Sequence, residues 1–354
     1  MTNWTKFECF LHETGHPPLT EKPLTFPKSW YPLCRSADVK RGKVIRQVAF
    51  GAPLAIFRTH SGRLGAVHAA CAHMGADLSR GRVVGERIQC PLHHWEYDAS
   101  GACELIPAES AIPARARQTS LVCEERYGII FGFLGGEPAF PLPGFPDDAL
   151  PRASRVRIMD FDTPYQVLAS NSYDAQHFSS VHHRTLLETP RVFIHAPHHY
   201  GIAFRAAVAG AASHDRLLRA LGVQEVELTA NCYGGNTVIA YSGRTANYIM
   251  FATLPITETH SRIFVLNAVS KQRNLPAFLV PLILEITHQL TLAFLHADIA
   301  VIHQLEYKFG VLLPDSDAGF IGWLRYWNSL PTSSILNRAT QTQSQAMDFE
   351  QLTS

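Results

Sequence analysis

Short apolar runs separated by turn residues dominate the chain from Trp30 to about Gly136. The runs VIRQVAF, LAIFRT and LGAVHAA have the length of β-strands, and Gly-Ala-Pro and Ser-Gly-Arg stand between them. The same pattern recurs in ASGACELIPA and ERYGIIFGFLGG. It predicts an all-β segment from which loops project.

The pattern changes after a proline-rich stretch, PAFPLPGFPDDALP at Pro138–Pro151. Proline sustains neither a helix nor a sheet ladder, so this stretch predicts a linker. Beyond it, a strand-like run at residues 155–167 and a helical run at 170–181 precede five more strand-like runs. A long helical region starts at Pro276. Antiparallel strands with helices segregated in sequence predict an α+β domain.

The predicted architecture is therefore α+β with two domains, which a length of 354 residues allows. An all-β domain spans residues 28–137 and the linker spans 138–151. A second domain of antiparallel sheet and helix spans residues 152–354, and residues 1–27 are expected to pack on it.

Composition narrows the classes of partner. Hydrophobic residues make up 46% and charged residues 17%, as in a globular protein with a sizeable core. The net charge of +1 gives no electrostatic reason to expect nucleic acid or an anionic membrane as the main partner. Seven scattered cysteines and a start that does not resemble a signal peptide favour a reducing, cytoplasmic setting. The 18 histidines stand out, because histidine is a common metal ligand.

The stretch Leu275–Leu305 comes nearest to a membrane segment. Five polar residues interrupt it too often for a bilayer span, namely Glu285, His288, Gln289, His296 and Asp298. The stretch predicts one or two largely buried helices, and no membrane span is expected.

Two loops each pair a cysteine with a histidine. They are Cys71-Ala-His73 and, after sixteen intervening residues, Cys90-Pro-Leu-His93. A [2Fe–2S] centre with two thiolates on one iron and two imidazoles on the other needs this supply of ligands. A structural zinc site of two cysteines and two histidines is the alternative, although zinc sites usually pair like with like.

The sequences CAHMGADLSRG and IQCPLHHWEYDASG resemble the Rieske domain of ring-hydroxylating and related oxygenases. Rieske proteins of respiratory complexes usually add a cysteine in each loop, where this chain has Ala76 and Leu92. The resemblance is therefore to the low-potential oxygenase type. The spacing makes His93 the ligand, and we expect His94 to contact solvent or another subunit.

A second constellation is Asn171-x-x-Asp174-x-x-His177-x4-His182. Its first three residues are spaced i, i+3, i+6, which predicts that they share one side of a helix. On a regular helix His182 would lie roughly 140° around from His177, so the two could not bind one ion. A shared metal requires the helix to end or distort at residues 179–181. Taken alone, such histidines are more often structural than ligands.

This second motif, placed after a Rieske domain, also resembles the oxygenase family. The resemblance implies that His177 and His182 bind a mononuclear iron and that Asp174 carries electrons from the cluster. Asn171 is expected beside the ligands, and His183 is expected to be next to them or purely structural.

The third iron ligand should be a carboxylate far downstream. Asp298 stands in the apolar run LAFLHADIAVIHQL, where a lone buried carboxylate is costly unless it is paired or metal-bound. The family places such an aspartate in a C-terminal helix with a glutamine some residues later, here Gln304. A helix-terminal or salt-bridged acid is the alternative, and Glu306 is the reserve ligand.

The resemblance implies an α+β oxygenase with a helix-grip (START-like) second domain, a [2Fe–2S] cluster, mononuclear Fe(II) and O₂. Electrons from NAD(P)H would arrive through a separate reductase or ferredoxin, since the chain has no strand-linked G-x-G-x-x-G. A head-to-tail homotrimer is implied as well. The substrate is expected to be a small aromatic or lipophilic molecule.

Resemblance to the arylamine N-oxygenases of the family favours N-oxygenation, carried by NSYDAQHFSSVH and ERYGIIFGFLG among other stretches. Hydroxylation of C–H bonds, demethylation and oxidative cyclisation of a heteroaromatic or sterol-like molecule are the alternatives, because fold likeness does not transmit substrate choice. Two hypotheses from other functional classes stay open: an electron-transfer Rieske protein and a zinc-stabilised ligand-binding module.

Overall fold

The computed structural model describes residues 25–145, 151–211, 213–220, 222–242, 247–270, 276–305 and 311–335. Up to Phe145 the described chain has strands and short turns but no α-helix, as the apolar pattern predicts. The strands of this part are β1 (Phe26–Pro27), β2 (Trp30–Arg35), β3 (Lys43–Ala49), β4 (Ala52–Arg58), β5 (Leu64–His68), β6 (Arg82–Val84), β7 (Arg87–Gln89), β8 (Glu96–Tyr97), β9 (Cys103–Leu105), β10 (Ser120–Arg126) and β11 (Ile129–Phe133).

Strands β2 to β11 form two antiparallel sheets, ordered β2-β11-β10-β5-β4-β3 and β6-β7-β8-β9. In β4, Leu54 and Ile56 belong to one core cluster and Ala55 and Phe57 to another. Successive side chains of a strand point to opposite faces, so both faces of β4 are covered, which accounts for its unbroken apolar run. The loops that carry the Cys/His pairs connect β5 to β6 and β7 to β8.

The second part of the chain is built on an eight-stranded antiparallel sheet, ordered β12-β19-β18-β17-β16-β15-β13, with β14 also paired to β15. The α+β prediction is confirmed. The strands are β12 (Ala153–Phe161), β13 (Arg184–Leu186), β14 (Arg191–Phe193), β15 (His199–Val208), β16 (Glu225–Tyr233), β17 (Thr237–Ser242), β18 (Asn247–Pro255) and β19 (Ser261–Val269). A short strand, β20 (Thr332–Ser333), pairs with β1.

Five helices accompany this sheet in the described residues. They are α1 (Tyr165–Ser170), α2 (Ala175–Ser180), α3 (Ser213–Ala220), α4 (Val280–Ile302) and α5 (Ala318–Ser329). Helix α4 packs along β12 and β19. Its buried positions recur every three or four residues and therefore form one stripe: Val280, Leu284, His288, Thr291, Leu295, Asp298 and Ile302.

The prediction that this helical region is largely buried is wrong. Phe278 is 79% exposed and Leu282 56% exposed, and Ile286 and Val301 are also exposed. The segment Ala277–Ile302 is long and apolar enough to cross a membrane, by length and composition only. Composition misled here because an all-round apolar helix is normally buried, whereas the described residues cover α4 on one side only.

The two parts share a core. Backbone N–H groups of Phe50 and Gly51 donate to the carbonyls of Pro255 and Ile256, at 2.8 and 2.9 Å. The described residues of the predicted linker also pack into this core, where Phe140, Leu142 and Phe145 are buried. The indole of Trp30 donates to the Phe140 carbonyl at 2.8 Å. Residues 1–24 and 146–150 lie outside the described chain.

Candidate metal centres

The two Cys/His loops have the same backbone design. Cys71 N–H donates to the carbonyl of Ala76, five residues on, and Gly75 N–H donates back to the Cys71 carbonyl, at 2.9 and 2.8 Å. In the second loop, Cys90 N–H donates to the carbonyl of Trp95, also five residues on, and His94 N–H donates back to the Cys90 carbonyl, at 2.8 and 3.2 Å.

Each loop places a left-handed residue at the same position. Gly75 has φ 76° and His94 has φ 58°. Glycine adopts this conformation without steric cost, whereas histidine does so less readily. His94 therefore closes the second turn, a role that its sequence neighbours did not indicate, and its side chain is exposed as predicted.

The side chains of the loops divide into a buried and an exposed pair. Cys71 and Cys90 are buried, whereas the His73 and His93 rings are exposed and lie 4.7 Å apart between centroids. The Trp95 indole stacks on His73 at 4.5 Å. A cluster held between inner thiols and outer imidazoles fits this arrangement.

Tyr97 lies beneath the loops, with its hydroxyl 3.2 Å from Cys71 Sγ. Burial raises the pKa of the Cys71 thiol, and the Tyr97 contact opposes that rise. A hydroxyl donated to sulfur favours the thiolate, the form that binds metal. Tyr97 stands inside the quoted motif, yet nothing in its spacing indicated this contact.

Each loop pairs one buried thiol with one exposed imidazole. A two-iron cluster takes two thiolates on one iron and two imidazoles on the other. Structural zinc sites usually pair like ligands within a loop. The mixed pairing of the two loops therefore fits a two-iron cluster better than a structural zinc site.

The second site begins with a correction. Asn171, Asp174 and His177 do not share one helix, because α1 ends at Ser170 and a 3₁₀ turn occupies Asn171–Tyr173. Asp174 then adopts an extended conformation (φ −84°, ψ 106°) and caps α2, accepting from the backbone N–H groups of Gln176 and His177. Aspartate competes for backbone N–H groups in this way, and an i, i+3, i+6 spacing does not reveal it.

The predicted interruption before His182 is confirmed. Helix α2 ends at Ser180, and both Val181 and His182 donate to the His177 carbonyl, at 2.8 and 3.4 Å. His183 then takes a left-handed conformation with φ 51°. This turn brings the His177 and His182 rings to 5.1 Å between centroids.

Asp298, on helix α4, completes a group of three possible metal donors, the triad His177, His182 and Asp298. Its Oδ1 lies 2.8 Å from Nε2 of His182 and 3.8 Å from Nε2 of His177, and the residue is 4% exposed. Although His182 Nε2 and Asp298 Oδ1 are close, neither is oriented to form a hydrogen bond. Two buried polar atoms left without hydrogen bonds and directed towards a common point suit a metal ion.

The hydrogen bonding of the His177 ring also suits a metal ligand. Its Nδ1 lies 2.6 Å from the carbonyl oxygen of Asp174, which can only accept, so Nδ1 carries the proton and Nε2 faces the site. Burial lowers the pKa of His177, against the opposing effects of the Asp298 and Asp174 carboxylates. A neutral imidazole is the form that binds metal.

Aromatic rings pack against both histidines. Phe294, one turn before Asp298 on α4, stacks on the His182 ring with centroids 3.4 Å apart. Phe178 lies 4.4 Å from the His177 ring and contacts Phe204. Two imidazoles and one carboxylate in an apolar surrounding fit a mononuclear non-haem iron with open coordination positions.

The remaining predicted residues lie around this group. The Asn171 amide nitrogen is 3.4 Å from His177 Nε2. Gln304 lies beyond the end of α4, and its backbone N–H donates to the Thr163 hydroxyl at 3.2 Å. Glu306 lies outside the described residues. The side chain of His183 is exposed.

Similarity to known proteins agrees with this geometry. The family model described as "Rieske [2Fe-2S] domain" matches residues 29–116. Aminopyrrolnitrin oxygenase from Pseudomonas fluorescens is 36% identical over 165 residues, which cover 44% of this chain and 45% of that protein. Methylxanthine N1-demethylase from Pseudomonas putida is 33% identical over 171 residues, covering 45% of this chain and 48% of that protein. The chain spans less than half the length of these curated relatives.

Solved structures share the fold. NdmA from Pseudomonas putida CBB5 superposes with a TM-score of 0.63 at 21% identity, covering 85% of this chain and 89% of that one. Dicamba monooxygenase bound to 3,6-dichlorosalicylic acid gives 0.62 at 17% identity, covering 91% and 98%. These similarities confirm the resemblance to Rieske oxygenases that the two motifs indicate.

Proposed function

We propose that this chain, which resembles the Rieske oxygenases, is a terminal oxygenase that oxidises a small aromatic or lipophilic molecule with O₂. The observation that carries the proposal is the presence of two different sites on one chain. Paired Cys/His loops suit a [2Fe–2S] cluster, and a buried His177, His182 and Asp298 group suits a mononuclear iron. An electron-transfer protein or a ligand-binding module would have no use for the second site.

In this proposal Cys71, His73, Cys90 and His93 hold the cluster, and His177, His182 and Asp298 hold the iron. The iron, when bound, would supply the open position at which O₂ is activated. The chain's own residues prepare that position. The Asp174 carbonyl fixes which nitrogen of His177 faces the site, and the Phe178 and Phe294 rings exclude water from it.

Electrons are proposed to come from NAD(P)H through a separate reductase or ferredoxin and to enter at the cluster. The exposed loop tip, with Met74 and Leu92 beside the two imidazoles, offers a surface for a second copy of the chain. In a head-to-tail homotrimer this tip would face the iron domain of the next subunit. The partly exposed Asp174 carboxylate, 3.9 Å from Nδ1 of His177, is the proposed link between the two metals.

The first candidate reaction is N-oxygenation of an arylamine, supported by the similarity to aminopyrrolnitrin oxygenase. The second is demethylation, supported by the similarity to methylxanthine N1-demethylase. Hydroxylation of C–H bonds and oxidative cyclisation remain further alternatives. Buried cysteines that form no disulfide in the described chain are compatible with the proposed cytoplasmic location.

The test uses the full chain, purified anaerobically with iron supplied. We expect a red-brown protein containing acid-labile sulfide, with the paramagnetic resonance of a Rieske centre after reduction. With a surrogate reductase it should consume O₂ only when given a substrate from a panel of arylamines and N-methylated heteroaromatics, with products read by mass spectrometry. The His182→Ala variant is the matched control, because it should keep the cluster and lose turnover.

Two results would contradict the proposal in different ways. A colourless protein with stoichiometric zinc would make it a zinc-stabilised module. A normal cluster spectrum with no metal bound at His177 and His182 would make it an electron carrier.

A further inference from the structure

We infer that a buried ion pair between Arg184 and Asp215 positions His182 for metal binding. The inference rests on the proposed function, because it concerns the same iron site. Neither residue belongs to a motif, and neither offers an atom to the metal. Both are nonetheless almost fully buried, with Arg184 4% and Asp215 1% exposed.

The segment that carries His182 requires such support. Helix α2 ends two residues before His182, and His183 has φ 51°. A residue other than glycine in this sparsely populated conformation persists only when the surrounding structure holds it. The side chain of His183 is exposed, and its carbonyl accepts from the Ala209 backbone N–H at 3.3 Å. The other contacts that hold this turn come from the residues on either side.

Arg184 contacts both its neighbour and the opposite element. One guanidinium nitrogen, Nη1, donates to the carbonyl oxygen of His182 at 3.2 Å. The other, Nη2, lies 2.6 Å from Oδ1 of Asp215. The Asp215 contact is an ion pair whose geometry lies outside that of a hydrogen bond. Because the guanidinium is planar and rigid, the ion pair at Nη2 and the hydrogen bond from Nη1 together restrict the direction of the His182 carbonyl.

Arg184 also approaches the His182 ring through a third residue. Its guanidinium carbon lies 6.0 Å from the centre of the Phe294 ring. The Phe294 ring stacks on the His182 imidazole at 3.4 Å, with 11° between the planes. Arg184 therefore contacts the His182 backbone directly, and it contacts the His182 ring indirectly, through Phe294.

Asp215 packs closely against the backbone that follows strand β15. It lies in the first turn of α3, and a Cβ added to Gly210 would come within 1.9 Å of its Oδ2. Gly210 follows β15, and Arg219 of α3 donates to the carbonyls of Val208 and Gly210, at 3.0 and 2.7 Å. The ion pair thus connects the His182 turn to the end of β15.

Breaking the ion pair between Arg184 and Asp215 should weaken metal binding at His182. Removing one partner of a buried ion pair leaves the other charge uncompensated, so Arg184 would have to move or recruit water. Either response releases the His182 carbonyl and the Phe294 ring. Loss of partners that orient a metal-binding histidine typically weakens metal binding about 10–100-fold.

The experiment measures cobalt binding, which does not count the iron of the cluster. Iron is removed from the mononuclear site with a chelator, Co(II) is titrated in, and its dissociation constant is measured by chelator competition. The cluster absorbance serves as an internal measure of folded protein. Asp215→Asn keeps the shape of the side chain and removes its charge, and we expect it to weaken Co(II) binding about 10–100-fold.

Arg219→Met is the matched control. It disturbs the same α3–β15 junction without touching Arg184, so it should lower the melting temperature and leave the Co(II) dissociation constant unchanged. A second variant, Arg184→Lys, keeps the charge beside Asp215 but cannot hold both contacts at once. It should also weaken binding, and it decides the question if Asp215→Asn does not fold.

Wild-type affinity in folded Asp215→Asn, or in Arg184→Lys if only that variant folds, would overturn the inference. Equal loss of affinity in Arg219→Met would overturn it too, because the effect would then belong to the junction as a whole. If the wild-type protein binds no more Co(II) than His182→Ala, the proposed function fails instead, before this inference is tested.

Discussion

The two candidate metal centres are built in opposite ways. Each loop of the cluster site is fixed by hydrogen bonds within six consecutive residues, and the loops repeat one backbone design around Gly75 and His94. In the triad, His177 lies in the short helix α2, His182 follows the end of that helix, and Asp298 comes from the distant helix α4. The position of His182 also depends on Asp215, which pairs with Arg184. The first site follows from local sequence, and the second follows from the tertiary structure.

The two sites also differ in their exposure to water. The imidazoles of the cluster loops lie at the surface, where another molecule can reach them, whereas those of the triad are buried under phenylalanine rings. The proposed electron entry needs access, and the proposed oxygen chemistry needs exclusion of water. One chain can provide both conditions because its two parts share a core without sharing a site.

The largest effects should come from removing a donor at either centre, because the centres are built independently. His182→Ala should abolish metal binding at the triad and all turnover, while the cluster spectrum stays unchanged. Cys90→Ala should abolish the cluster spectrum and leave Co(II) binding at the triad intact. Optical spectra and metal analysis of both variants test the comparison, and loss of both metals in either variant would contradict independence.

Asp174→Asn should impair electron transfer between the two centres while both keep their metals. Asparagine caps a helix as well as aspartate does, so α2 should keep its start and the melting temperature should hardly change. The charge of the carboxylate is lost, and we expect product formation to fall at least about 100-fold, the upper range for partners of metal-bound histidines.

The control for this variant is the cluster itself, which should remain reducible by the reductase at the wild-type rate. Near-normal product formation would show that electrons do not need Asp174. Loss of reducibility would place the defect at the cluster instead.

Acid should weaken the metal-free protein through its buried histidines. Burial lowers the pKa values of His177, His199 and His288 below 6.5, the value for an unperturbed histidine. Between the folded and unfolded pKa values the unfolded chain binds more protons, so stability is present above pH 6.5 and falls as the pH drops below it. Melting curves between pH 8 and pH 5.5 check this, and a flat profile would contradict it.

The smallest effects should come from the two left-handed residues of the cluster loops. Gly75→Ala meets no atom within 4 Å of the new Cβ, so it should cost only the backbone strain, about 1 kcal/mol. His94→Gly should relieve a similar strain and raise stability by up to about 1 kcal/mol. Urea unfolding followed by cluster absorbance measures both, and changes of the same sign would show that the two loops are not equivalent.

The sequence predicted the local features well and the distant ones poorly. The cluster loops were predictable from the spacing of their cysteines and histidines. The break before His182 was predictable because a metal shared with His177, five residues earlier, requires it. The shared helix face of Asn171, Asp174 and His177 was wrong because Asp174 caps a new helix, and helical spacing carries no information about capping. Arg184 and Asp215 were missed because their partnership exists only after β13 and α3 have packed.

The left-handed turn at His183 restricts how this site can vary in evolution. The residue stands between His182, the proposed metal ligand, and Arg184, which contacts the His182 carbonyl, and its side chain is exposed. Glycine, asparagine and aspartate enter this conformation readily, whereas valine and isoleucine do not. Selection can therefore act at this position without any contact of its side chain with iron, oxygen or substrate, through the geometry of one peptide unit.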